Sequence, residues 1–525
     1  MILLVCIITG FLLAYLFVDR PEVEMESNEI VTDIVPETTS ARPWEANLTV
    51  SPYMTKDASY ASSAKLSVHW DGLVGAIDHV VVMATDTVSS ETLSVTTNMK
   101  EEEAVLIGLK SATIYEVSVQ ACVDKACKNI LTSEVVQGET QEEYWQIQGE
   151  DSGYNSAHQI VENGSTLSYA IPYTDWAPEN LRGTIKFYYN GSGPTNDLRG
   201  IRVASSTEGY TDFENSKQII RRECGTDISK SGEHTGGDCA KGQLQALAIQ
   251  ILPLESGVMK AFFEATSATD PEKIMEVYSL NSQDGYIGED FDTSPSSDIC
   301  GDSETEQDLI KGGDCEPTLV IESSEHGGSS GLVNARQNKI GYPILDSWIW
   351  DESPGTFMII TAEDACEKTR DGLFYVVYDG TNWIVQKDAS GCAIPLVLEA
   401  HGPVIVHLGG DRYKVYYENY EFADEQKLIE KATKPTRVMY AAGGADGMVD
   451  LEDWEGEDVA REVNFLWPDG TVLDVQEEAG LGDHVIWVPD GDLETQVMYM
   501  NLGGFDNINW KKGSGGLGMA VLVNP

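Results

Sequence analysis

The chain has 525 residues, too many for one ordinary domain, and 42% of them are hydrophobic, which excludes a disordered polymer. Its 86 acidic residues outnumber 34 basic ones, giving a net charge of −52. The acids are spread along the length and not gathered in a tail. They coat folded surfaces, and their repulsion excludes nucleic acid and anionic membrane surfaces as docking partners. Solubility, including in a salty medium that screens charge, is the plain reading of this excess, against a dedicated cation-binding surface.

Residues 2–18 (ILLVCIITGFLLAYLFV) form an unbroken apolar run closed by Asp19 and Arg20. The run is near the lower length limit for a membrane span and lacks the basic start and small-residue cleavage site of a signal peptide. It is read as an uncleaved membrane anchor, with a cleaved signal segment as the alternative, and in both cases the remainder is extracellular: held at the cell surface or secreted. Residues 19–42 are acidic, with Pro and Thr, and read as a disordered stalk.

Cys6 lies in the apolar run, which leaves eight cysteines in local pairs: Cys122 with Cys127, Cys224 with Cys239, Cys300 with Cys315, and Cys366 with Cys392. An even, locally paired set points to disulfides formed in an oxidising compartment. No C-x₂-C cluster of the zinc type is present, so no metal site is assigned. Two of the pairs close similar loops that end in Gly-Gly-Asp-Cys, at Gly236–Cys239 and Gly312–Cys315. These read as stapled surface loops. They require no cofactor, and Ca2+ on their aspartates is the open alternative, without the EF-hand pattern.

Residues 43–140 alternate as strands do. Leu66, Val68 and Trp70 share one face, and His79–Met83 is a second strand. Leu109, followed six residues later by Tyr115, resembles the tyrosine corner of fibronectin type III domains. That resemblance covers the whole segment and implies a β-sandwich that acts as a spacer or adhesion module, with His69 an exposed strand residue.

Residues 141–525 are expected to be almost entirely β. Strand-like runs recur at Ile185–Tyr189, Met259–Phe263, Phe357–Ile360, Tyr413–Tyr417 and Gln496–Met500. Several are followed by segments such as Ser279–Gly285 or Tyr378–Trp383. Five units in about 385 residues is the period of propeller blades. With the run Glu399-Ala400-His401-Gly402-Pro403, the order and spacing of these units resemble the five-bladed propeller glycosidases of the arabinanase, xylosidase and invertase type. The fold class expected is therefore all-β: a fibronectin type III sandwich, then a five-bladed β-propeller, behind an N-terminal hydrophobic helix.

Glycoside hydrolysis uses two carboxyls across the scissile bond, and the resemblance implies acids on inner strands facing a central cavity. The candidates for catalysis are Glu399, His401 and Asp346. Asp483, His484, Trp348, Trp350 and Asp175 are the candidates for substrate binding, since polar groups bind hydroxyls and Trp stacks on sugar faces. The resembled family places its acid immediately before Gly-Pro, where this chain has His401, with Glu399 two residues earlier. No Gly-x-Ser-x-Gly elbow, phosphate-binding loop or His-Glu-x-x-His motif occurs. The reading is a carbohydrate-binding or carbohydrate-cleaving protein, with a polysaccharide or glycan as partner. A non-catalytic adhesion scaffold is the alternative.

Overall fold

Strand-to-strand pairing sorts the described residues into seven sheets, two in an N-terminal sandwich and five in a ring. The computed structural model describes residues 42–43, 47–54, 61–73, 76–98, 101–149, 164–172, 177, 179–191, 200–207, 213–220, 244–254, 257–267, 274–282, 318–326, 328–340, 350, 353–366, 371–398, 400–409, 412–419, 437–444, 461–473, 480–487, 496–503 and 516–525. The expected N-terminal helix lies outside these residues, as does the expected stalk except its last residue, Arg42, which pairs with Leu131 in the sandwich. No helix among them is long and apolar enough to cross a membrane.

In the sandwich, a three-stranded sheet (Leu48–Met54, Ala61–Trp70, Glu103–Leu106) faces a six-stranded sheet centred on His79–Asp86 and Ile114–Cys122. Period-two alternation sends Leu66, Val68 and Trp70 inward, where they pack with Val80, Val82, Val117 and Val119. His69, on the opposite face, is exposed beside Glu103. The Lys110 amide donates to the Tyr115 hydroxyl at 2.7 Å, which is the tyrosine corner expected from Leu109 and Tyr115. The Cys122–Cys127 disulfide is formed at the end of the Ile114–Cys122 strand.

The five remaining sheets are the blades of a propeller. Blade 1 runs Gly164–Pro172, Ile185–Gly191, Gly200–Ser206, Glu214–Ile220. Blade 2 runs Leu244–Pro253, Met259–Ser267, Glu276–Asn281, Thr318–Ile321. Blade 3 is Leu332–Ile340, Phe357–Asp364 and Asp371–Tyr378, with Trp383–Val385 and Pro395–Leu398 both on its third strand. Blade 4 is Ala400–Gly409, Arg412–Asn419, Arg437–Gly444, Arg461–Glu462. Blade 5 is Gly480–Trp487, Val497–Gly503 and Gly516–Leu522, completed from the other end of the chain by Tyr144–Ile147, which also pairs with Asn464–Leu466.

The first strands of the blades pack side to side in cyclic order, blade 5 returning to blade 1, so they form the inner wall. The five aromatic or β-branched runs seen in the sequence are the second strands, one per blade. They are buried on both faces because each blade is covered by its neighbours: Phe187, Tyr188, Phe262, Met358, Ile359, Tyr416 and Tyr499 are all buried. The Cys366–Cys392 disulfide staples blade 3. The pairs Cys224/Cys239 and Cys300/Cys315 lie outside the described residues.

Asp86 gives the sandwich a pH dependence. Burial alone would raise its pKa, but amide and hydroxyl donors from Val88 and Ser89 and the Lys110 ammonium at 3.2 Å outweigh it and hold the carboxyl below its ordinary value of 3.8. A depressed carboxylate contributes stability above its unfolded pKa that is lost as pH falls through the folded one. Urea denaturation between pH 6 and 2 is therefore expected to show a loss of sandwich stability below about pH 4 that is smaller in Asp86→Asn.

Candidate functional site

The ring has two mouths. The Gly402 amide, near the start of the blade 4 inner strand, donates to Thr361 Oγ1 at 3.2 Å. Thr361 stands opposite Arg336, in the middle of the blade 3 inner strand, so the blade 4 inner strand begins beside the body of its neighbour. At the other mouth the strands end: Leu254 follows the blade 2 inner strand and bridges to Trp350, whose amide donates to the Pro253 carbonyl at 2.7 Å. A nine-residue inner strand such as Leu332–Ile340 separates the mouths by roughly 27 Å at about 3.3 Å per residue.

All five inner strands break register with their second strands in their first half. Shifts fall at Leu167/Tyr169, Ala246/Ile249, Val333/Arg336, His401/Val404 and Gly482/His484, with further ones at Gly164/Thr166, Arg336/Lys339 and His407/Gly409. A bulge adds one residue, bends the strand and re-aims its side chains. Every inner strand carries a break in its first half, whereas only those of blades 3 and 4 carry one in the second, at Arg336/Lys339 and His407/Gly409.

In blade 4 the bulge decides which groups meet. Between Val404 and His407 the pairing is regular, and continued unbroken it would set Glu418 against Gly402. The extra residue sets His401 against Glu418. Both side chains are buried. The Glu418 carboxylate leans over Gly402: a Cβ there would meet Glu418 Oε1 at 3.1 Å, and Gly402 has φ +54°. Close approach and left-handed backbone both call for glycine. The strand start thus holds an imidazole and a carboxylate on adjacent strands, with the Thr361 hydroxyl next to the same turn.

The expected site residues are not gathered at one mouth. His401 is at the mouth where the inner strands begin. Trp350, expected as a substrate-binding residue, sits at the opposite mouth, buried between blades 2 and 3 with its ring edge-on to Phe262 at 5.7 Å and the Lys260 ammonium 5.8 Å from its centroid. That packing leaves no open aromatic face. In chain order Asp346 and Trp348 also come after their blade's inner strand, as Asp175 comes after that of blade 1. All three lie outside the described residues, as does Glu399. Asp483 and His484 fall at the blade 5 bulge, Asp483 being the inserted residue. His407 is buried with its ring tilted against that of Tyr413, which packs on the cluster between blades 3 and 4, at 4.9 Å between centroids. In the Tyr378–Trp383 segment the Asp379 carboxylate accepts the Thr381 and Asn382 amides at 2.7 Å, so it shapes a turn.

Sequence reasoning missed Glu418 and Glu143. Glu418 shares a strand face with Lys414 and Tyr416, a visible signal, but its partner depends on the bulge. Glu143 precedes the Tyr144–Ile147 strand and is fully buried. It accepts the Tyr416 hydroxyl at 2.7 Å and the Trp145 indole N–H at 2.6 Å and pairs with the Lys414 ammonium. Burial pulls the Lys414 ammonium below its ordinary pKa, and the Glu143 carboxylate opposes that shift. Glu143 thereby ties the ring-closing strand to the blade 4 strand that carries Glu418.

No protein-family model matches this chain, and no curated protein does. Similar solved structures exist. An endo-arabinase from Bacteroides thetaiotaomicron is 11% identical over 70% of this chain and 97% of its own, with a TM-score of 0.36. A thermostable family-43 glycoside hydrolase is 10% identical over 70% and 91%, with a TM-score of 0.35. The fibronectin type III domain of human collagen alpha-1(XX) is 17% identical over 22% and 95%, with a TM-score of 0.17. At these scores the fold rests on the strand order described above.

Glu143→Ala leaves Lys414 buried without its carboxylate and is expected to lower stability to urea by about 3–5 kcal/mol, whereas Glu143→Gln combined with Lys414→Met recovers most of the loss. Gly402→Ala is expected to lower stability by about 1–2 kcal/mol from its left-handed backbone alone, read in the same denaturation experiment.

Proposed function

We propose that this protein is an exported, surface-tethered propeller that binds or cleaves a polysaccharide at the mouth where its five inner strands begin. The observation that carries this reading is the register break in the first half of every inner strand, with buried His401 and Glu418 brought opposite each other by one of them. Repeated bulges on a rigid ring are the means by which a propeller aims side chains at an occupant of its mouth.

The chemistry of the residues fits a hydroxyl-rich ligand. An imidazole and a carboxylate together offer donors and acceptors, and a carboxyl beside an imidazole has the equipment to hold or move a proton at a glycosidic oxygen. Glu399, two residues before His401 in sequence, and Asp483, at the blade 5 bulge, are the proposed further acids of that mouth. His484 beside Asp483 would bind hydroxyls. Two formed disulfides, Cys122–Cys127 and Cys366–Cys392, support maturation in an oxidising compartment, and the apolar run at residues 2–18 would supply the tether.

The test is a screen of residues 43–525 against plant, algal and bacterial polysaccharides, reading both released reducing ends and retained binding. Release that disappears in Glu399→Gln or Glu418→Gln, with unchanged thermal unfolding, makes the protein a glycosidase. Binding without release, lost in His401→Ala, makes it a carbohydrate-binding propeller. Neither release nor binding on any glycan overturns the proposal in favour of an adhesion scaffold.

A further inference from the structure

The sandwich strand Ala61–Trp70 begins with a departure from alternation: Ser62 and Ser63 are adjacent in sequence and both buried. Neighbours in a strand point to opposite faces, so burying both means that this end of the strand is covered on two sides. The sandwich core supplies one cover. The other is the segment Val523–Pro525, which follows the third strand of blade 5. The Ser63 amide and hydroxyl donate to the Asn524 carbonyl at 2.9 and 2.7 Å, and the Ser62 hydroxyl donates to the Pro525 carbonyl.

The Asn524 side chain completes the arrangement. It is buried, and its Nδ2 donates to the Glu142 carbonyl at 2.6 Å and to the Ala61 carbonyl at 3.3 Å. Its Oδ1 accepts the Tyr144 amide at 3.0 Å. One carboxamide therefore uses both its donor hydrogens and its acceptor on three chain segments: the first residue of a sandwich strand, the linker between the two domains, and the strand that closes the propeller. The linker is fixed at its other end too, since the Gln141 amide donates to the Ser62 carbonyl and the Val523 amide to the Tyr144 carbonyl, at 3.2 and 3.0 Å.

We infer that Asn524 is a clasp joining sandwich and propeller into one cooperative, rigid body, so that the sandwich is an oriented mount for the ring and not a freely hinged spacer. Domains in one chain move independently unless their interface is tightly satisfied. Here one buried amide bonds the propeller at Tyr144, the linker at Glu142 and the sandwich at Ala61, and opening the junction strands polar groups on both sides. The surface so formed commits the Ala61–Ser63 edge to a partner within the same chain, which removes it from contact with other molecules.

The test uses residues 43–525 with calorimetry and small-angle X-ray scattering. The unaltered protein is expected to unfold in a single transition and to scatter as one body. Asn524→Ala is expected to split the transition in two and to lengthen the maximum dimension. Ser63→Ala touches only the sandwich side and leaves the ring-closing strand intact. It is expected to move in the same direction by a smaller amount, and it decides the matter if Asn524→Ala does not fold. Two separate transitions in the unaltered protein would overturn the inference, as would an unchanged single transition and scattering profile in both variants. None of these outcomes depends on whether a glycan binds.

Discussion

The structure depends on one pairing, that of Tyr144–Ile147 with Gly516–Leu522. A ring of sheets has no edge to leave open: if blade 5 lacked its fourth strand, an unpaired backbone edge and the apolar flanks of two blades would face water. The missing strand is borrowed from the other end of the propeller's sequence, which turns an array of nearest-neighbour contacts into a closed circle. Trp145 and Ile147 are buried in that seam with Met519, Ala520 and Leu522, so closure is hydrophobic as well as hydrogen-bonded.

Around that seam the chain concentrates its buried polar groups. Glu143 and Asn524 flank the closing strand, one tying it to Lys414 and Tyr416 of blade 4, the other to the sandwich. Apolar contacts are tolerant of small slips, whereas a fully satisfied carboxylate or carboxamide is not, so these two side chains fix the register in which the ring closes. The charged pair is a source of specificity at a seam that must be found across more than 370 residues of sequence, where loop closure is slow and alternative pairings compete.

Closure also sets what the inner wall can present. Because the blades are locked in a circle, a bulge in an inner strand cannot be absorbed by sliding the strand. It is expressed as a local change of side-chain direction. In blade 4 that change exchanges Gly402 for His401 opposite Glu418, and the space that glycine leaves is occupied by the Glu418 carboxylate. The site and the scaffold are thus separable in kind: the blades are built around repeated apolar second strands, and His401 stands where the regular pairing of an inner strand is interrupted.

Much of this was legible in the residues themselves. Period-two alternation gave the sandwich strand that buries Leu66, Val68 and Trp70. The spacing of Leu109 and Tyr115 gave the corner. Five aromatic runs marked the five second strands, and local cysteine spacing gave Cys122–Cys127 and Cys366–Cys392. These are short-range properties, fixed by the faces of one strand or the reach of one loop. The tertiary structure alone decided three further matters. It set Trp350 between blades at the opposite mouth from His401, it matched Glu418 to His401 through a bulge, and it brought Glu143 and Asn524 to the seam. Each depends on a register or a long-range meeting of segments. Sequence periodicity cannot report these, because a shift of one residue leaves the pattern of residue types unchanged while replacing every neighbour.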